Sequence, residues 1–393
     1  MERVVIVATK RTAIGKFGGQ FRQIDAVTLG KYCLQGLLAD IPQAQKLVEE
    51  VWLGNVLGAG LGQNPARQVL LRAGLPVTAT ATTVNDVCGS SLKALRLAQM
   101  SLLLNEAQVV VAGGIENMSQ APILQSRPAR KGQPENQQAP VDSLFHDGLT
   151  DSLTDQEMGL EVEALVKQQR ISRFAQDQFA LWSQEKAAAA ETAGLFQNEI
   201  VPIPVADKLI KRDETIRRQT SLEKLGLLRP AFRADGTITA GNASPINDGA
   251  SMLLLTTETF AREHQWPIEA FLEEFAEVGV PTPEFGLAPI AAVQVVLEKA
   301  QLTMNEIGVV ELNEAFAAQA LAVQKALEIP DDKLNPLGGA IALGHPLGAT
   351  GTRMIATLIT ALKAKHAEHG LATLCIGGGQ GIAWHLSREG LTK

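Results

Sequence analysis

One succession of elements occurs twice in this chain, and that duplication constrains the fold more than any single motif. In the first half, a strand at residues 4–8 leads to a helix at 28–38 and a strand at 50–56 carrying Asn55. A helix near 65–72 follows, then Cys88 opening a helix at 90–104, then a strand at 108–112 ending in Gly113-Gly114. In the second half, a strand at 269–273 leads to a helix at 289–300 and a strand at 309–312 ending at Asn313. A helix at 315–327 follows, then His345 opening a helix at 351–365, then a strand at 372–376 ending in Gly377-Gly378. Short β-rich runs alternating with helical stretches predict α/β layering with a largely parallel sheet. Each half closes on the same device, a reactive side chain at a helix start beside a strand that returns to a glycine turn.

A doubled fold needs buried helices at its centre, and two qualify. Before Asn105, the 90–104 helix is polar only at Lys93, Arg96, Gln99 and Ser101 after Leu92, three of them on one narrow stripe. The 351–365 helix is apolar through Met354, Ile355, Leu358, Ile359 and Leu362. With 393 residues and 46% hydrophobic content, the chain can bury a core large enough to divide into two or three domains. Between the halves the texture changes. The stretch 127–140 is rich in Pro, Gln, Gly and charge, as a surface loop is, and helices follow at 156–170 and 173–193, the second stopped by Gly194. Residues 119–248 therefore read as an insertion into the first half.

Charge and cysteine usage exclude several function classes. A formal net charge of −7 argues against nucleic-acid binding, which needs basic stripes against phosphate. Two local basic runs, Lys208 through Lys211, Arg212, Arg217 and Arg218, and Arg127 to Lys131, are read first as solvated surface. No run approaches the roughly 18 uncharged apolar residues of a membrane span, and the first residues lack a secretory pattern. The C-terminal Leu391-Thr392-Lys393 is not a peroxisomal address. These features predict a cytoplasmic protein without a membrane partner. Three widely spaced cysteines make neither a disulfide framework nor a zinc ribbon. His366 and His369 share a predicted helix face without a third ligand, so no metal site is expected.

Three residues carry candidate chemistry. Cys88 lies in Asn85-Asp86-Val87-Cys88-Gly89-Ser90-Ser91, where Gly89 permits a tight turn and the following amides point at the sulfur. A helix N-terminus and a neighbouring imidazolium lower a thiol pKa, and the thiolate is the nucleophile. Cys33, in the apolar Tyr32-Cys33-Leu34, fits an inert core cysteine instead. His345, between Gly344 and Pro346, is either a cap or a catalytic base. Cys375 precedes Ile376-Gly377-Gly378-Gly379-Gln380-Gly381, whose bare amides suit an oxyanion hole. A dinucleotide fingerprint is the competing reading, and it fails for want of a following helix and ribose-binding acid.

Stretches spread nearly end to end resemble the thiolase family, in its acetyl-CoA acetyltransferase branch. They are Arg11 through Gly19, the Cys88 segment, Gly113-Gly114-Ile115-Glu116-Asn117-Met118-Ser119, Arg229-Pro230-Ala231-Phe232, Gly241-Asn242-Ala243-Ser244, Asn313-Glu314-Ala315-Phe316-Ala317, Gly344-His345-Pro346 and Cys375 through Gly379. The resemblance implies a duplicated five-layer α/β/α/β/α fold with an inserted loop domain. It divides the chain into a first half of residues 1–118 and 249–267, a loop domain of 119–248 and a second half of 268–393.

The resemblance also implies a two-stage exchange on acyl-CoA and free CoA, with no cofactor and no metal. Cys88 would attack a thioester and hold the acyl group while His345 accepts its proton. Cys375 would then take the α-proton of acetyl-CoA, and the enolate would attack the acyl-enzyme in a Claisen condensation. One oxyanion site is assigned to His345 and a water held by Asn313, the other to the amides of Cys88 and Gly377. Arg217 is expected near the nucleotide end of CoA, Ser244 near the pantetheine, and Met158, Phe285 and Phe316 around the acyl pocket. Assembly as a homodimer or homotetramer is implied as well. The chain departs from the family pattern at Ser91, Pro245, Glu157 and Phe285, which puts acyl-chain preference in question. A broader 3-ketoacyl-CoA thiolase and a non-catalytic acyl-CoA binder are the alternatives. A ketoacyl-carrier-protein synthase is disfavoured because Cys375 stands where it would carry histidine.

Overall fold

The computed structural model describes residues 2–125 and 139–391. The basic run Arg127 to Lys131, nearly all of the loop expected over 127–140, and Thr392-Lys393 lie outside the described residues. One eleven-stranded sheet organises the chain. Its path comprises β1 (Val4–Thr12), β2 (Glu50–Gly54), β3 (Thr80–Val84), β4 (Val109–Asn117), β5 (Asn247–Thr257), β6 (Ala270–Gly279), β7 (Val309–Leu312), β8 (His369–Ile376) and β9 (Gln380–Ser387). The order is β7-β8-β9-β6-β1-β5-β4-β2-β3, with Gly15–Lys16 added to β5 and Ile200–Val201 to β1. The accompanying longer helices are α1 (Ala26–Asp40), α2 (Pro65–Ala73), α3 (Ser90–Leu103), α4 (Met158–Gln169), α5 (Arg173–Thr192), α6 (Ala288–Ala300), α7 (Ala317–Ala326) and α8 (Thr350–Lys365).

The duplication is visible strand by strand. In the first half β3 and β2 pair parallel, β2 and β4 parallel, β4 and β5 antiparallel, and β5 and β1 antiparallel. In the second half Leu334 bridges β7 parallel, β7 and β8 pair parallel, β8 and β9 antiparallel, and β9 and β6 antiparallel. The halves join where Val4–Ile6 of β1 runs antiparallel to Ala270–Leu272 of β6. The sheet is therefore mixed, parallel along its path only towards its two edges, which corrects the expectation of a largely parallel sheet. The reason is the two strands β5 and β9, which the sequence reading passed over. Gly377-Gly378-Gly379 is a three-residue hairpin from β8 into β9, with φ of +86° and +85° at the last two glycines.

Alternation along the strands sends side chains to two different cores. Val4 and Ile6 of β1 face a central core with α3 and α8, while Val5 and Val7 face an outer core with α1 and α2. A third core packs α6 and α7 on the outer face of the second half. The result is the layer order α/β/α/β/α, with α3 and α8 in the middle. These two helices touch closely: Thr352 N donates to Ser91 Oγ at 3.1 Å, and a Cβ on Gly351 would come within 2.9 Å of Leu92 N. The serine that departs from the family pattern thus bonds one central helix to the other. Gly113 and Gly114, expected in a turn, lie inside β4, where a Cβ would strike the carbonyls of Ser251 and Gly348.

The middle region is tied to the first half by a buried ion cluster. Arg11 on β1 is fully buried, and its Nη1 and Nη2 reach Asp213 at 2.8 and 3.0 Å while Nε reaches Glu199 at 2.7 Å. Removing one partner of such a buried pair costs about 3–5 kcal/mol, because the other charge is left uncompensated. Ser172 caps α5 through Ala175 N at 3.1 Å, and Gly194, with φ +75°, follows its end.

Candidate active site

Cys88 sits on a sharp turn between β3 and α3. Val87 carries the strain with φ +45°, a conformation that a β-branched residue adopts only under constraint. Local hydrogen bonds hold it there: Val87 N donates to Asn85 Oδ1 at 3.0 Å, Asp86 N to Ser90 Oγ at 2.8 Å, and Ser90 Oγ to Val87 O at 2.6 Å. Gly89 has ordinary helical φ of −78°, so it is not the residue that makes the turn tight. It is glycine because a Cβ would collide with Ile376 and approach Asp86 Oδ2 to 2.9 Å.

His345 lies between the helical turn Ala340–Leu343 and the start of α8. Gly344 opens this stretch with φ +108°, and His345 N donates to Asn247 Oδ1 at 2.8 Å. The ring is oriented by Thr350. Thr350 Oγ1 donates to Pro346 O at 2.8 Å, so at 2.6 Å it accepts from His345 Nδ1–H. That leaves Nε2 with a lone pair, which accepts from Asn313 Nδ2 in a long contact of 3.5 Å. Asn313 follows β7, and Asn335 clamps the strand end beside it, with Leu312 N donating to Asn335 Oδ1 at 2.8 Å. Asn313 Oδ1 is buried without a protein partner.

Cys375 is buried at the end of β8 among Val162, Val166, Ile238, Phe285 and Ala315. Cys88 packs on a different cluster, Val56, Leu57, Met118, Leu144 and Leu347. Both sulfurs nevertheless line one cavity of about 350 Å³, together with His345 and Gly377. Burial pushes the Cys88 thiol up to about 12, against hydrogen bonds from the amides of Gly377 and of Cys88 itself. Burial, and then Cys88, push Cys375 up as well. Burial also lowers His345 to about 3, aided by the Arg353 cation. The resting groups are therefore two neutral thiols and a neutral imidazole, which corrects the expectation of a thiol acidified by its helix and an imidazolium. Desolvation outweighs the helix terminus here. A thiolate can form only as its proton passes to a base.

Nine of the ten expected site residues line the cavity: Cys88, His345, Cys375, Gly377, Arg217, Ser244, Met158, Phe285 and Phe316. Asn313 is the tenth, standing behind His345. Arg217 is exposed at the mouth, whereas Phe285 is buried. Met158 Sδ lies 3.3 Å from where a Cβ on Gly377 would sit. Phe232 meets Phe316 edge to face, centroids 6.1 Å apart. Of the basic run from Lys208 to Arg218, only Arg217 borders this cavity, and Arg218 pairs with Glu191 instead. His366 ends α8 in a left-handed conformation and His369 begins β8, so they share no helix face. Among the described residues no cluster of His, Cys, Asp and Glu suits a metal.

Sequence reasoning passed over Thr350, Asn247 and Asn335, and gave Met118 no task beyond its place in a matching stretch. Thr350 alone had a local signal, five residues after His345 at a helix start. The others come from distant segments.

Family models for the thiolase N-terminal domain and the thiolase C-terminal domain match residues 4–259 and 266–388. The chain belongs to the thiolase family. Its fold is that of a thiolase, and it is an acyltransferase enzyme. A protein described as a probable acetyl-CoA acyltransferase from Staphylococcus aureus (strain MSSA476) is 47% identical over 393 residues, covering 99% of this thiolase and all of the relative. The protein with the same description from strain COL is 46% identical over the same span. No helix among the described residues of this thiolase is long and apolar enough to cross a membrane.

Proposed function

We propose that this thiolase is an acetyl-CoA C-acetyltransferase, catalysing the reversible Claisen condensation of two acetyl-CoA to acetoacetyl-CoA and CoA. The observation that supports it most is the convergence of Cys88, Cys375 and the unprotonated Nε2 of His345 on one cavity. Cys88 attacks the thioester carbonyl as its proton moves to His345, and CoA leaves with a proton, giving an acetyl-cysteine. Cys375, whose own proton passes to the emptied Nε2 of His345, then removes the α-proton of a second acetyl-CoA. The enolate carbon attacks the acetyl-cysteine carbonyl, the new carbon–carbon bond forms, and the Cys88 carbon–sulfur bond breaks as its sulfur takes the proton held by His345. In this reading the amides of Cys88 and Gly377 meet one developing oxyanion, and the Nε2–H of His345, once it has taken up a proton, meets the other together with a water held by Asn313.

Arg217 at the mouth and Ser244 on the wall are assigned to CoA. Phe285, Phe316 and Met158 crowd the Cys375 side, which favours a short acyl group. A 3-ketoacyl-CoA thiolase of broader chain length uses the same groups, so relative thiolysis rates on acetoacetyl-CoA and on a C8 3-ketoacyl-CoA decide between them. No cofactor enters the scheme, CoA being part of the substrate. Assembly as a homodimer or homotetramer and residence in the cytoplasm belong to the proposal; light scattering tests the first. The central test is mass spectrometry after brief exposure to acetyl-CoA. Wild type and Cys375→Ala gain one acetyl group, and Cys88→Ala gains none. Equal failure of both variants would refute the division of labour.

A further inference from the structure

The two halves can be superposed by register. Gly54 of β2 stands opposite Gly114 of β4, and Leu312 of β7 opposite Thr373 of β8. One residue beyond the first strand of each pair come Asn55 and Asn313. Two residues past Gly114 and Thr373, still within β4 and β8, come Glu116 and Cys375. Glu116 therefore occupies in the first half the place that Cys375 occupies in the second, and Asn55 matches Asn313.

This second place is closed rather than open. Glu116 is fully buried, and four donors converge on its carboxylate. Oε1 accepts from Asn55 Nδ2 at 3.0 Å and Leu57 N at 3.1 Å, and Oε2 accepts from Val56 N at 3.0 Å and Gly348 N at 2.8 Å. Burial pushes the acid up to about 7, against the pull of the three amides. Four N–H groups can be met only by oxygen lone pairs, so the form held here is the carboxylate. Two of the segments it gathers serve the site. Val56 and Leu57 pack with Met118 and Leu347 under Cys88, and Gly348 lies three residues after His345 in the same turn.

We infer that Glu116 is a positioning residue for the acyl transfer proposed above: its carboxylate ties the turn after β2 to the turn after His345, fixing both the imidazole and the apolar floor beneath Cys88. The inference rests on that reading of the reaction. It assigns the duplicated acid a mechanical task where its counterpart has a chemical one. Glu116 does not touch the reacting atoms.

Glu116→Gln keeps the shape but turns an NH₂ towards two of the four donors, whichever way the amide faces. Gly348→Ala attacks the same contact from the other side, because its Cβ would lie 2.8 Å from Glu116 Oε2. The measurements are the rate of Cys88 acetylation by acetyl-CoA, kcat and KM for acetoacetyl-CoA thiolysis, and Tm. Each folded variant should lose roughly 10- to 100-fold in acetylation rate and kcat, as misplacement of reacting groups does, with KM within about threefold. Should one variant fail to fold, the other decides by the same criteria. Acetylation within twofold of wild type overturns the inference, and so does a loss of activity no larger than the loss of folded protein. A wild type that acquires no acetyl group overturns the functional reading itself, and this inference with it.

Discussion

Replacing Thr350 by valine tests how the imidazole is held. Valine is nearly isosteric with threonine but lacks the hydroxyl that accepts from His345 Nδ1–H at 2.6 Å. The ring is buried, so the orphaned N–H loses its partner at a cost of about 1–3 kcal/mol. The tautomer with its proton on Nε2 escapes that cost, and it removes the lone pair needed to take a proton from Cys88. A shift of this size towards the wrong tautomer lowers the acylation rate by roughly 5- to 150-fold. CoA contacts are untouched, so KM should hold within about twofold. The assay is the single-turnover acetylation of Cys88 followed by mass spectrometry, with Thr350→Ser as the control. Serine restores the acceptor and should recover most of the rate. A valine variant as fast as wild type, or a serine variant as slow as valine, would falsify the assignment of the tautomer to Thr350.

Three further outcomes follow from the same geometry. His345 is lowered to about 3 from an ordinary value near 6.5, so the folded state binds fewer protons than the unfolded chain between these values. Stability should fall as pH drops through that window; urea midpoints at pH 7 and pH 4.5 should differ less in His345→Asn than in wild type, and equal differences would count against it. Ser91→Gly removes the bond to Thr352 N and adds a helical glycine, for about 1–2 kcal/mol of lost stability; a urea midpoint matching that of wild type would contradict the role given to the serine. Phe285→Ala opens the buried side of the cavity by Cys375, and the ratio of kcat/KM for a C8 substrate to that for acetoacetyl-CoA should rise several-fold; an unchanged ratio would locate chain selection elsewhere.

Sequence periodicity found the duplication because helices and their flanking reactive residues repeat in order. It failed on β5 and β9, which turn the sheet from parallel to mixed. β9 is reached through three glycines that read more readily as a ligand loop than as a hairpin. Cys88, His345 and Cys375 were legible because each stands at an element boundary beside glycine or proline. Their ionisation was not, since it depends on walls contributed by Phe285, Val162 and Leu347, which lie far apart in the chain. Glu116 stands inside one of the matching stretches with no local sign of its task, which appears only when Gly348, more than two hundred residues later, is brought against it.

Cys88 belongs to the first half, while His345, Asn313 and Cys375 all come from the second. During synthesis the nucleophile therefore leaves the ribosome long before its proton acceptor exists. The growing polypeptide carries a dormant sulfhydryl, and competence arrives only when the last strand, β9, slots between β8 and β6. A chain cut short of residue 375 lacks Cys375 and the whole of β9, and so has no base for the carbon–carbon step.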